Sequence, residues 1–125
     1  MGQFKRSQRV QSQMLRDVRE LLDQEIAYNL KIMVTFTDVE LSNDLRYAKI
    51  FYSVLGDQDK KTRAERYLNK IRNRVQNQLG RMLRIKTIPE IEFKFDPSIE
   101  RGMRIEQLLN EISRKHDSGK DENIS

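Results

Sequence analysis

Apolar residues Val10, Met14, Val18, Leu21, Leu22 and Ile26 recur at spacings of one to four, separated by Arg16, Arg19, Glu20 and Asp23. That is the stripe of an amphipathic helix, predicted over Ser7 to Tyr28. Ser7 is placed to cap its start and Asn29 to close its end in the left-handed conformation. The period then falls to two, with Ile32, Val34 and Phe36 alternating against Lys31, Met33, Thr35 and Thr37, as in a half-buried strand. A polar connector, Asp38 to Arg46, leads to a second alternating run, Ala48, Ile50, Tyr52 and Val54, which Gly56-Asp57 ends as a turn. The two runs read as an antiparallel pair.

Helical spacing returns from Asp59 to Arg84, with Ala64, Tyr67, Leu68, Ile71, Val75, Leu79, Met82 and Leu83 on the apolar side. A straight helix there would be about 39 Å long, which predicts an interruption. Asn73, which takes a left-handed conformation at low cost, is its expected place, within Ile71 to Arg74. Such a break would expose N–H groups flanked by Arg72 and Arg74, an arrangement suited to phosphate. Ile88-Pro89 stops helical geometry. Ile91, Phe93 and Phe95 then form a third strand, and Asp96-Pro97-Ser98 turns the chain. Met103, Leu108, Leu109 and Ile112 suggest a short last helix, and residues 116–125 read as a disordered tail. The order helix, strand, strand, helix, helix, strand, with a short C-terminal helix, predicts an α+β domain over residues 1–115, its helices packed on one face of a three-stranded sheet.

Charge sharpens this picture. The 125 residues carry a formal +5. Lys60 to Ile88 holds ten bases against the single acid Glu65, a local +9, so the rest of the chain stands at −4. Lys70 to Ile88 contains no acid at all, so the i,i+4 pairs of an ordinary surface helix are missing. Asn73, Gln76, Asn77 and Gln78 interleave with the bases and add groups that reach phosphate, ribose or base edges. Lys5, Arg6 and Arg9 lie at or before the first turn of the first helix, where they oppose its dipole. The candidate RNA-binding set is therefore Lys5, Arg6, Arg9, Lys70, Arg72, Asn73, Arg74, Arg81, Arg84 and Lys86, a polyanion footprint.

Catalytic chemistry finds little to work with. There is no cysteine, and the one histidine, His116, falls in the tail, which removes the usual nucleophile pairs. The five glycines are isolated and form no phosphate loop. Asp38, Glu40 and Asp44 share a loop but match no cation-binding spacing, so turn capping is the better reading. No signal peptide or membrane span is evident in the sequence, and cytoplasm is the expectation.

The run Val34-Thr35-Phe36-Thr37-Asp38-Val39-Glu40-Leu41 through Leu45-Arg46-Tyr47-Ala48-Lys49-Ile50-Phe51-Tyr52-Ser53-Val54-Leu55-Gly56 resembles the two-strand core of the ribosome-binding factor A family. Leu79-Gly80-Arg81, Pro89-Glu90-Ile91-Glu92-Phe93, Asp96-Pro97-Ser98 and Gly102-Met103-Arg104-Ile105 resemble its later segments. The resemblance implies a type II KH-like fold and a bacterial factor; from the residues, a monomer is expected and no cofactor, metal or membrane partner. The resemblance further implies binding to the 30S ribosomal subunit and a part in late maturation and processing of 16S rRNA. Family members often carry an Ala-x-Gly kink between the central helices; Ile71-Arg72-Asn73 stands there in this chain, changed at both outer positions. A DNA-binding or nucleoid-associated module is the alternative from charge alone, and a nuclease built on Asp38, Glu40 and Asp44 is the enzymatic one.

Overall fold

The structure is a computed structural model that describes residues 2–98, 101–102 and 105–113, with side chains from residue 6 onward. Helix α1 spans Gly2–Leu30, strand β1 Met33–Leu41, strand β2 Tyr47–Leu55, helix α2 Gln58–Leu83 and strand β3 Glu90–Phe95. Residues 105–113 are helical again. The tail predicted at 116–125, with His116, lies outside the described residues, as does Met103.

In α1 the buried residues Met14, Val18, Leu22 and Ile26 repeat every four positions and lie against the sheet. The helix starts well before Ser7, which is buried within it and does not cap it. Its end also differs from expectation: Asn29 stays helical and Lys31 takes the left-handed conformation, φ 55°, its N–H donating to Ala27 O at 3.1 Å.

β1 runs to Leu41, well into the segment predicted as a connector. The pairing with β2 slips between Phe36 and Asp38, and this bulge explains the missed residues. One extra residue resets the alternation, so Val34 and Phe36 are followed inward by Val39 and Leu41. Arg19 from α1 satisfies the carbonyl released there, donating to Phe36 O through Nε at 3.0 Å and Nη2 at 2.8 Å. The bulged Thr37 donates its hydroxyl to Asp96 Oδ2 at 2.7 Å.

The sheet order is β1-β2-β3, antiparallel for the first pair and parallel for the second. The parallel pair requires a long crossover, and α2 supplies it. Asp57 caps that helix by accepting from the Lys60 N–H at 3.0 Å. The helix then continues without interruption for 26 residues, through Asn73. The predicted break between two central helices, and the phosphate-ready helix start within Ile71 to Arg74, are therefore absent. Asn73 faces solvent, where its weaker helix propensity costs only about half a kcal/mol. Ile71, Val75 and Leu79 stay buried on either side of it, and a break would pull one half of that stripe off the core.

α2 ends at Arg84, left-handed with φ 53° and ψ 39°. Gly80, inside its last turns, is buried under Ile88, and a Cβ at this position would overlap the Ile88 side chain. Only glycine lets the connector fold back this closely. Two α2 side chains also serve β3: the Ile91 N–H donates to Gln76 Oε1 at 3.0 Å, and Arg72 Nη1 donates to Ile91 O at 3.4 Å. They occupy backbone groups of an edge strand that would otherwise stay open for pairing.

Both long helices cover the face lined by Phe36, Ile50, Val54 and Ile91. The α+β arrangement and three-stranded sheet agree with the sequence reading. Residues 105–113 stand apart from this core, with Ile105, Leu108, Leu109 and Ile112 exposed.

Candidate nucleic-acid interface

An unbroken α-helix turns about 100° per residue, which fixes how the bases of α2 are displayed. Arg63, Arg66, Lys70, Asn73, Arg74, Asn77, Arg81 and Arg84 fall within an arc of about 100° opposite the core positions. All eight are exposed, Arg74 while paired with Glu25 of α1. The ridge is about 31 Å long at 1.5 Å per residue. Glu65, the only acid after Asp59 in α2, lies on the opposite side of the helix from Arg63. The straightness that removes the expected kink thus creates one continuous basic line.

The bases are not equivalent. Lys70, Arg81 and Lys86 are exposed, as is Arg84 at the left-handed cap. Arg63 donates to Leu30 O at 3.2 Å, tying the ridge to the end of α1. Arg74 Nη2 meets Glu25 Oε2 at 2.7 Å, its Nη1 donates to Gln78 Oε1 at 3.0 Å, and Glu25 also accepts the Tyr67 hydroxyl at 2.8 Å. Partial burial pushes the Glu25 carboxyl up, but the hydrogen bonds from Arg74 and Tyr67 and the Arg74 charge outweigh it, and its pKa lies below the ordinary value. The same bond to Glu25 raises Arg74. Arg72 is half-buried on β3, off the ridge.

The amino-terminal bases form a second group. Arg6 and Arg9 are exposed on α1, while the side chain of Lys5 lies outside the described residues. Arg9 and Arg16 line a groove of about 580 Å³ whose other walls include Val10, Gln13, Leu83 and Ile85. The groove brings the first turns of α1 to the end of α2, beside Arg84 and Lys86 in sequence. Arg16 was not among the predicted residues, nor were Arg63, Arg66 and Asn77; the i,i+3,i+7 spacing from Arg63 was the signal for the ridge members.

The acidic loop holds itself. Asp44 accepts from the Ser42 hydroxyl at 2.7 Å and the Arg46 N–H at 3.1 Å, which keep its carboxyl below the usual range. Asp38 accepts from the Val39 N–H at 2.8 Å. Asp44 thus caps the turn, whereas Asp38 and Glu40 lie within β1, Asp38 directly after its bulge, so the three acids expected in one loop do not share one.

The pattern read from the residues returns in comparison with known proteins. A sequence profile described as "Ribosome-binding factor A" matches residues 6–109. The ribosome-binding factor A of Thermodesulfovibrio yellowstonii is 43% identical over 114 residues, covering 91% of this chain and 96% of that protein. The chain belongs to the ribosome-binding factor A family. The family protein of Natranaerobius thermophilus is 35% identical over 113 residues, 90% of this chain and 86% of its own length. The crystal structure of ribosome-binding factor A from Thermus thermophilus superposes with a TM-score of 0.60 at 22% identity, over 70% of this chain and 93% of that one. A Thermotoga maritima solution structure described as a putative ribosome binding factor A gives 0.51 at 28%, over 70% and 80%. The fold is the family's KH-like one. The kink expected from the family at Ile71-Arg72-Asn73 is absent.

Proposed function

We propose that this protein is a non-enzymatic, cytoplasmic factor that binds the 30S ribosomal subunit through 16S rRNA and assists its late maturation. The observation that carries the reading is the α2 ridge: a straight row of guanidinium and ammonium groups on one helix face, with no acid of α2 on that face from Arg63 to Arg84. Among its described residues only Arg74 is paired across, to Glu25 of α1. Such a row matches a phosphate backbone, and the displaced counterions provide the driving force. The family's name supplies the ribosome as the source of that polyanion. Lys70, Arg81 and Arg84, with Asn73 and Asn77 as hydrogen-bonding spacers, form the main contact; Lys86, Arg6 and Arg9 extend it towards the start of α1. Arg72 and Arg74 contribute chiefly to the fold.

Sedimentation with isolated small subunits, large subunits and assembled ribosomes over a salt series tests this. Binding should favour small subunits and weaken steeply with salt. Reversing Arg66, Lys70, Arg81 and Arg84 to Glu should abolish it at moderate salt, whereas reversing Lys49 and Lys94 on the sheet should leave most of it. Equal losses from the two sets would remove the ridge from the interface, and competition by duplex DNA as strong as by rRNA would favour a DNA-binding module.

A further inference from the structure

The groove between the first turns of α1 and the end of α2 carries chemistry that a phosphate ridge does not need. We propose that it is a site for one unpaired nucleotide, taking the base against Val10, Leu83 and Ile85 and the phosphate on Arg9 and Arg16. This rests on the RNA reading above and adds a second kind of contact to it.

Three observations on the groove converge. The lining pairs apolar side chains with two cations and holds no acid. That mixture suits a flat, partly apolar base joined to an anion. Arg9 and Arg16 are seven residues apart, two turns along one side of α1. They bracket Gln13, which can meet a base edge. Arg16 is also held in place: its Nη2 donates to Gln13 Oε1 at 3.1 Å, and Gln13 Nε2 donates to Asp17 Oδ1 at 2.8 Å. Asp17 is only 5% exposed, so the relay is anchored in the packed interior. A guanidinium restrained in this way loses little freedom on meeting a phosphate.

The two walls differ in polarity. The wall at the end of α2 is apolar, made by Leu83 and Ile85, and gives the flat face of a base its contact. The arginine wall on α1 takes the phosphate. The nucleotide is thereby oriented, base towards α2 and phosphate towards α1. The groove, about 580 Å³ and open to solvent on one side, has room for a single base. A paired, stacked base cannot enter, so the groove selects single-stranded RNA, whereas the ridge meets the phosphate backbone of either form.

Methyl NMR on the full chain tests the site, with a five-nucleotide single-stranded RNA and an RNA duplex of matched phosphate number as probes. The single strand should shift the Val10, Leu83 and Ile85 methyl signals, and the duplex should leave them in place. Ser12→Phe, which fills the groove from its exposed rim, should weaken single-strand binding at least tenfold with duplex binding and melting midpoint unchanged. Arg9→Ala and Arg16→Ala should each weaken single-strand binding several-fold and serve if the bulkier variant folds poorly. Shifts confined to the Arg63–Arg84 ridge, or a Ser12→Phe variant that binds single strands like the parent, overturn the site. So do groove methyls that respond to an apolar peptide and to no RNA. Failure of the ridge reading is distinct: duplex and small subunits would not bind, while single strands would still shift the groove methyls.

Discussion

The Arg74 guanidinium lies 2.7 Å from Glu25 Oε2 and joins the middle of α2 to the last turns of α1. Tyr67, bonded to Glu25 at 2.8 Å and to Asn29 at 2.8 Å, completes the link. With side-chain exposures of 43% and 27%, the ion pair is partly screened, so its coupling should be about 0.5–1 kcal/mol in a double-mutant cycle of Glu25→Gln and Arg74→Ala. Glu25 titrates below its ordinary 4.5 in the fold. Its contribution is therefore complete above pH 4.5 and is lost as pH falls through the lower folded value. The melting-temperature gap between parent and Glu25→Gln should close as the pH is taken below 4.5. A gap that stays flat far into acid would mean the carboxylate is not what stabilises the contact.

Gly80 and Ile88 define the return of the chain after α2. Gly80→Ala gains about 1 kcal/mol of helix propensity but forces Ile88 out of contact, an overpacking cost of about 1–3 kcal/mol. The net effect should be destabilising, and adding Ile88→Ala should recover part of it. If Gly80→Ala alone raises the melting temperature, the close approach of connector and helix is wrong.

Much of this architecture was legible because apolar period and secondary structure coincide. The stripe Met14, Val18, Leu22, Ile26 and the alternation Ala48, Ile50, Tyr52, Val54 each name a face without ambiguity. Two features were hidden for physical reasons. The bulge between Phe36 and Asp38 breaks the alternation locally, so Val39 and Leu41 look like a loop. In α2, Asn73 looks like a breaker because propensity is local, while the decision lies with Ile71 and Val75, which both pack only if the helix continues. At the interface, counting charge located the ridge but not the tasks of its members. Nothing in the sequence near Arg72 or Arg74 reveals that their partners are Ile91 and Glu25, 19 and 49 residues away.

Asn73 offers a direct check on the straight helix. In an exposed, fully helical position, Asn73→Ala should stabilise by up to about 0.7 kcal/mol, a rise of roughly 2–4 °C in melting temperature. Binding to small subunits should fall only modestly, because one hydrogen-bonding side chain is lost and every charge is kept. A variant that is more stable yet has lost binding at least a hundredfold would show that Asn73 must bend for the complex to form.

Arg84 brings stability and binding into opposition. Its backbone is left-handed, φ 53° and ψ 39°, a conformation that costs a residue with a Cβ roughly 1–2 kcal/mol and glycine almost nothing. Glycine is also the commonest residue at that helix-ending position. Arg84→Gly should therefore raise stability, by about 1 kcal/mol once the greater freedom of glycine in the unfolded chain is counted. The same change deletes the last cation of the ridge. If Arg84 neutralises one rRNA phosphate, the salt slope of small-subunit binding should drop by about 0.7–0.9, and affinity at low salt should fall while the melting temperature rises. Arg84→Lys separates the two effects, since it keeps both the strain and the charge and should resemble the parent in each measurement. An Arg84→Gly variant that is more stable and binds with an unchanged slope would place Arg84 outside the interface and end the ridge at Arg81.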